Sequence, residues 1–369
     1  MKIALVHDHL AQDGGAEKVL QAFQEIWPTA PTFVLVHDVR SANPIFRQRH
    51  IQTSFLQHLP FGVSHYQWFF PLMPTAVESY DLMDYDVVLS STASFAKGVI
   101  TRPDTLHICY CHTPTRYLWS DTHSYVQELG VNRLVKKLLP FFLSNIRIWD
   151  KMAADRVDEY IANSKLVQTR IQKYYKKSST IIYPPVNTAQ FNIGQPQDYY
   201  LAGGRMVAYK RFDLIVAAFN RIGRPIKIFG DGPELNSLKR LAKSNIEFVG
   251  RVSGEQLNKL YGGALAFINP QVEDFGITMI EAMACGRPVL AYQRGGATEI
   301  VQPGITGEFF AEQTWEDLAD AIMHFKPEQY NAQTIGARAE EFSLTKFKAS
   351  IQAYVTTSYQ EYKKNILIN

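Results

Sequence analysis

The chain has 369 residues, 46% of them apolar and 20% charged, with a formal charge of +3. That length exceeds what one hydrophobic core usually fills, so two domains are expected, and near-neutrality argues against nucleic acid as a partner. There is no run of 18 apolar residues to span a membrane, and three cysteines cannot form a closed disulfide set, which suits a reducing cytoplasm.

Met1 to Leu10 is a short apolar strand broken by His7, Asp8 and His9, without the small-residue cleavage site of a signal peptide. Lys2 to His7 reads as a buried parallel strand, Asp13 to Glu17 as a loop carrying Gly14 and Gly15, and Lys18 to Ile26 as a helix. Strand, glycine turn and helix open a doubly wound sheet. The Gly-x-Gly-x-x-Gly spacing of a dinucleotide site is absent. On these residues alone the glycines are equally a plain flexible turn.

Phe33 to His37 and Asp86 to Ser90 are the next strands. Between them Phe55 to Pro74 is crowded with aromatic residues and proline but has neither helical nor strand periodicity, so a long packed loop is expected. Its aromatics either fill the edge of the domain or touch a ligand, and packing is the commoner explanation.

Leu106 to Cys111 is a strand. On it Cys109 and Cys111 share one face while His112 points to the other, so buried thiols rather than a metal site are expected. His112 follows at the strand's carboxyl end, where ligands bind in open α/β sheets. A histidine satisfied by a turn carbonyl would look the same in sequence.

Val131 to Lys151 carries Arg133, Lys136, Lys137, Arg147 and Lys151 against the single acid Asp150, interleaved with apolar residues. Such a segment either lies on an anionic membrane surface or is a solvated helix face over a core face, and Pro140 is expected to break it in two. Tyr160 to Asn163 is a strand, and Ser164 caps a helix running through Tyr174. Thr180 to Tyr183 closes the first sheet, and 184–198, rich in proline and glycine, reads as linker.

Strand and helix alternation restarts near Tyr199. The second strand–loop–helix unit contains Gly203, Gly204, Arg205 and Lys210, and a guanidinium and an ammonium at the carboxyl end of a strand suit a diphosphate. Pro225 to Gly230 and Ile246 to Val249 are further strands, the latter leading to Arg251 and Val252.

The most informative stretch runs from Asn269 to Gly286. A strand, Ala264 to Ile268, ends at Asn269-Pro270, a turn carries Glu273 and Asp274, and Gly276 opens a helix whose first turn offers backbone N–H groups to an anion. A diphosphate seated there has one carboxylate toward each end, Glu273 for a sugar and Glu281 for a ribose. Helical periodicity returns over Trp315 to Phe325 and over Thr345 to Tyr362.

Two glutamates with seven residues between them, then Cys285-Gly286-Arg287-Pro288-Val289, Gly295-Gly296-Ala297-Thr298-Glu299-Ile300 and Gly304-Ile305-Thr306-Gly307, resemble the retaining glycosyltransferases of family 4 over nearly the whole chain. The resemblance implies the GT-B fold: two Rossmann-like doubly wound domains facing each other across a cleft. It divides the chain into an acceptor domain 1–183, a linker 184–198, a donor domain 199–345, and a terminal helix 346–369 crossing back to the first.

His112-Thr113-Pro114-Thr115-Arg116-Tyr117-Leu118-Trp119 resembles a mannosyltransferase-like subgroup of bacterial polysaccharide and glycolipid assembly, in which the histidine contacts the transferred sugar. The resemblance implies transfer of a hexose, with mannose from GDP-mannose preferred, to a glycan or lipid-linked acceptor. UDP- or dTDP-linked donors, or a nucleotide-sugar epimerase on the same fold, are the alternatives, and a partner subunit that has lost the chemistry is a further rival.

The roles so implied are catalytic for His112, Glu273, Arg205 and Lys210. Donor binding falls to Gly14, Gly15, Arg205, Lys210, Arg251, Val252, Glu273, Phe275, Gly276, Ile277, Thr278 and Glu281, while Arg116 and Trp119 face the acceptor. No cofactor or metal is expected, since charge already in place meets the departing diphosphate. The expected location is the cytoplasm, with attachment to the inner face of the membrane as a hypothesis.

Overall fold

The computed structural model describes residues 1–122 and 133–368. They form two compact units: Met1–Tyr183 together with Phe347–Asn369, and Pro184–Lys346. Residues 184–198, expected to form a linker, thus belong with the second unit. Val186 N–H donates to Phe342 O at 3.0 Å, and Leu344 N–H to Val186 O at 2.9 Å.

The first unit holds a parallel sheet of β1 Ile3–His7, β2 Thr32–Val34, β3 Ile51–Thr53, β4 Val87–Thr92, β5 Leu106–Cys111, β6 Glu159–Ala162 and β7 Thr180–Ile181. Its order is β3-β2-β1-β4-β5-β6-β7, so the direction of winding reverses between β1 and β4. Strands buried on both faces read as continuous apolar runs, as Ile3 to Val6 does. Helix α1, Gly15–Ile26, buries Val19, Leu20, Ala22 and Phe23 along one stripe. Cys109, Cys111 and Cys285 are free and buried.

Three local expectations differ from what is observed here. The aromatic stretch 55–74 is not irregular: 3₁₀ turns at Phe55–His58 and Tyr66–Leu72 lead into helix α2, Met73–Glu78. Three-residue turns used in short pieces leave no 3.6-residue signature. Leu56 and Met73 are buried there, whereas Phe61 and Trp68 are 62% and 67% exposed.

Helix α3, Arg133–Asp155, runs through Pro140 unbroken. Pro140 is exposed, where water can meet the carbonyl that loses its donor. Val131 and Asn132 of the expected basic segment lie outside the described residues. Helix α4, Lys165–Arg170, is capped as expected, Ser164 Oγ accepting from Val167 N at 3.2 Å, but continues as a π-helical turn, Ile171–Tyr175.

That π turn feeds a buried polar cluster. Asp150, 1% exposed, accepts from Lys97 Nζ at 2.6 Å, Thr115 Oγ1 at 2.8 Å, Trp119 Nε1 at 2.7 Å and Tyr175 Oη at 3.0 Å. Asp150 is therefore the hub of a buried polar cluster in the first unit rather than an acid on a basic surface.

The second unit repeats the architecture with β8 Tyr200–Gly203, β9 Ile226–Phe229, β10 Ile246–Gly250, β11 Phe267–Asn269, β12 Val289–Tyr292 and β13 Gly307–Phe310, in the order β10-β9-β8-β11-β12-β13. This is the doubly wound order of a Rossmann fold, with the reversal between β8 and β11. Helix α5, Phe212–Ile222, buries Leu214, Ile215, Ala218 and Phe219. They join Ile226, Ile228, Leu290, Leu318 and Ile322 in one core.

The C-terminal helix, Leu344–Ile368, docks on the first unit from Phe347 onward. Phe347 stacks on Phe23 with ring centroids 6.0 Å apart, and Ser358 Oγ donates to Glu159 at 2.6 Å.

Removing one partner of a buried ion pair leaves an uncompensated charge, at a cost of about 3–5 kcal/mol. Lys97→Met should therefore lower unfolding free energy by that order in urea titrations. A loss below about 1 kcal/mol would show that the hydroxyl and indole donors suffice for Asp150.

Candidate active site

Within the second unit, the reversal of winding opens the sheet between the carboxyl ends of β8 and β11. β8 ends at Gly203, where a Cβ would come 2.2 Å from the Phe229 ring, and the chain leaves through Gly204 at φ +134°. A 3₁₀ turn, Ala208–Lys210, then brings Lys210 back. Its Nζ donates to Glu273 Oε1 at 3.0 Å, and Gln271 Nε2 donates to the same oxygen at 2.6 Å. Lys210 and Glu273 are 15% and 20% exposed, so the pair is partly desolvated yet reachable.

The backbone around Glu273 is held from outside. Gly296 N–H donates to Glu273 O at 2.9 Å. A Cβ at Gly296 would sit 2.0 Å from Phe275 O, and Gly295 has φ +68°. The Gly-Gly pair is thus needed because two backbones touch there.

Gly276, at φ +118°, then opens helix α6, Ile277–Ala284. Ile277 and Thr278, in its first turn, are half-buried, while Phe275 is buried and packs edge-on to Phe342 at 5.6 Å. The helix start and the Lys210 ammonium are the positive features of this end of the sheet.

The other donor-side candidates are placed differently. Arg205 is exposed, and its side chain makes no hydrogen bond or ion pair among the described residues. Arg251 is 84% exposed and pairs with Asp231 at 3.2 Å, and Val252 is half-buried. Glu281 is 5% exposed and accepts from Tyr261 Oη at 3.0 Å. Tyr261 is therefore part of the Glu281 environment, which an acidic pair read from sequence cannot disclose.

In the first unit, His112 follows β5 and its Nε2 lies 2.8 Å from Ser91 Oγ on β4. Ser91 in turn meets His7 at the end of β1. Burial, with His7 adding to it, pushes the His112 imidazole down to about 4, so it is neutral near pH 7.

Next to it Asp8 accepts from Thr92 Oγ1 at 2.9 Å and from the N–H groups of Ala93, Phe95 and Ala96 at 2.7–2.8 Å. Burial alone would raise Asp8, but the His7 charge and these amides hold it below the usual carboxylate range. Gly14 is extended, φ −146°, and Gly15 begins α1. A Cβ on Gly14 would approach Glu17 Oε2 to 3.0 Å.

The two acceptor-side candidates are engaged within the first unit. Arg116 Nη2 pairs with Asp121 at 2.6 Å. Trp119 gives its indole N–H to Asp150 and stacks on Tyr174 at 5.1 Å. Asp8, Ser91, Lys97 and Asp150 carried no sequence signal of their role, since each acts through residues distant in the chain.

Among known proteins, residues 14–190 match the family model "Glycosyltransferase Family 4" and residues 185–342 the model "Glycosyl transferases group 1". A GDP-mannose-dependent alpha-(1-6)-phosphatidylinositol monomannoside mannosyltransferase of Mycobacterium tuberculosis is 30% identical over 162 residues, 39% of this chain and 42% of that protein. An alpha-1,3/1,6-mannosyltransferase of Dictyostelium discoideum is 24% identical over 322 residues, 73% of this chain and 72% of that protein. The chain spans about half the length of the first curated relatives it matches. Among solved structures, Anabaena HepE in complex with UDP and glucose superposes with a TM-score of 0.71 at 19% identity, covering 96% of this chain and 99% of that one.

Proposed function

We propose that this chain, both halves of which belong to glycosyltransferase families and which has the two Rossmann-like domains of the GT-B fold, transfers a hexose from a nucleotide sugar to a hydroxyl of a glycan or lipid-linked acceptor. The observation that carries the reading is the Lys210–Glu273 pair, 3.0 Å apart at the winding reversal of the second sheet. An ammonium and a carboxylate at such a point can receive the two ends of a sugar diphosphate, phosphate at one and hydroxyls at the other.

In this reading the diphosphate leaves with its charge met by Lys210, by the exposed Arg205 and by the amides opening α6. These are fixed groups, and the reading takes no divalent ion and no cofactor. Glu273, released from Lys210 as the phosphate takes over the ammonium, binds sugar hydroxyls and stabilises positive charge at the anomeric carbon. The configuration is retained, the phosphate oxygen taking the acceptor proton on the same face. Glu281 serves the ribose, and Arg251 and Val252 border the base. In the first unit we assign Gly14 and Gly15 to donor phosphates, His112 to a hydroxyl of the transferred sugar, and Arg116 to the acceptor.

Mannose from GDP-mannose is the preferred donor, supported by the two mannosyltransferases among the relatives. A UDP-hexose is the second reading, favoured by the UDP and glucose bound in the HepE structure. For a cytoplasmic enzyme with a lipid-borne acceptor, α3 offers a surface. Phe141, Ile148 and Met152, spaced seven and four apart on one face, are 74%, 60% and 60% exposed, and an apolar face of this kind suits a membrane interface.

Three measurements test this. In a thermal-shift panel of GDP-, UDP- and dTDP-sugars, GDP-mannose at 100 times its Kd should stabilise the protein by about 2.7 kcal/mol. Protection by UDP-sugars alone would replace mannose with the second reading. Arg205→Ala and Lys210→Ala should each lower kcat/KM by roughly 2–4 kcal/mol of transition-state stabilisation, and near-normal turnover in both removes the clamp. Sedimentation with anionic liposomes at low salt should carry the protein down, and Ile148→Glu with Met152→Glu should release it; indifference of the unaltered protein to the liposomes ends the membrane assignment.

A further inference from the structure

His112 sits at the end of a short buried hydrogen-bond chain whose proton positions can be worked out atom by atom. His7 Nδ1 lies 3.0 Å from the backbone carbonyl of Ser91 and 3.2 Å from Ser91 Oγ. A carbonyl can only accept, so His7 Nδ1 carries a proton, and Ser91 Oγ takes a second, weaker share of it. Ser91 is fully buried and its hydroxyl proton has no water to go to. Besides His7 Nδ1, which is itself a donor, the other partner of Ser91 Oγ among the described residues is His112 Nε2, at 2.8 Å.

Were His112 Nε2 to donate instead, Ser91 Oγ would face two donors and its own proton would be stranded in the core. A buried donor without an acceptor costs more than the bond gained. Ser91 therefore donates to His112 Nε2, and a neutral His112 must carry its proton on Nδ1. That nitrogen has no partner among the described residues, and it is not one of their fully buried polar atoms.

We infer that Ser91 and His7 are positioning residues that lock His112 into the Nδ1–H tautomer, so that it offers an accessible ligand a hydrogen-bond donor and never a lone pair. The sheet holds two of the three residues and anchors the backbone of the third. His7 and Ser91 are register partners on β1 and β4, and His112 N–H donates to Thr92 O at 2.8 Å. Glu17, 2% exposed on α1, places Oε1 3.8 Å from His7 Nε2 at the far end of the chain. The partner recognised is a hydroxyl or phosphate oxygen able to accept. The ligand assignment rests on the proposed sugar-binding role of His112, whereas the tautomer does not.

The test is long-range 15N–1H correlation NMR on the full chain with 15N-labelled histidine, His112 being assigned by the loss of its signals in His112→Gln. Near pH 7.5 the unaltered protein should show His112 with a protonated Nδ1 and an unprotonated Nε2. Ser91→Ala should move it to the Nε2–H form or a mixture, and Ser91→Thr, which keeps the hydroxyl, should restore the original pattern and show that folding is not the cause. Alongside, Ser91→Ala should lower kcat about tenfold, ~1.4 kcal/mol, with Ser91→Thr near normal. A protonated Nε2 in the unaltered protein, or a tautomer unmoved by Ser91→Ala, overturns the inference. A tautomer that moves while kcat does not would uphold the lock and instead remove His112 from the proposed sugar site.

Discussion

A partly buried ammonium held 3.0 Å from a carboxylate, at the place where a parallel sheet reverses its winding, is the constraint on which the second unit is arranged. Opposite charges with little access to water attract strongly, yet each loses hydration by being there. The pair persists because the fold leaves little alternative. Gly203 and Gly204 let the chain turn tightly off β8, the 3₁₀ turn returns Lys210, and Gly295-Gly296 presses the backbone of 273–275 into place. Gln271 shares the Glu273 oxygen, so a ligand that takes Lys210 away leaves the carboxylate with one donor still attached.

The first unit meets a similar problem with neutral and buried groups. Just past β1, Asp8 gathers three backbone amides from the segment after β4 and the hydroxyl of Thr92 at the end of β4, which fixes the loop across its own switch point. Beside it the Glu17, His7, Ser91 and His112 chain carries polarity from the core to a half-buried imidazole. Farther from the switch point, Lys97 and Asp150 anchor the segment after His112 to α3 and the π turn. Trp119 is drawn into that anchor, so its contribution to acceptor binding would come through the position of its neighbours rather than from its indole N–H.

Much of this was legible beforehand wherever a feature is local. Most strands announced themselves as apolar runs, though β3, β12 and β13 did not, and Ser164 was readable as a cap because a cap bonds three residues away. The glycines at 276, 295 and 296 stood out because left-handed or crowded backbone admits little else. What could not be read were features whose partner is remote. Ser91 looks like any serine in a strand until β1 and β5 flank it. Asp150 looks like a lone acid among bases until α3 turns it inward. Pro140 looked like a break, yet its place on an exposed helix side makes the disruption tolerable, and the 3₁₀ turns of 55–72 have too short a period to register.

The sequence by itself determined two doubly wound sheets and the acidic–glycine stretch that opens α6, because hydrophobic period and backbone conformation are written residue by residue. Tertiary structure alone decided which charge faces which, that Glu281 shares its pocket with Tyr261, and which nitrogen of His112 holds the proton. Those depend on distances between strands and helices far apart in the chain, and on burial that leaves a buried proton few places to go.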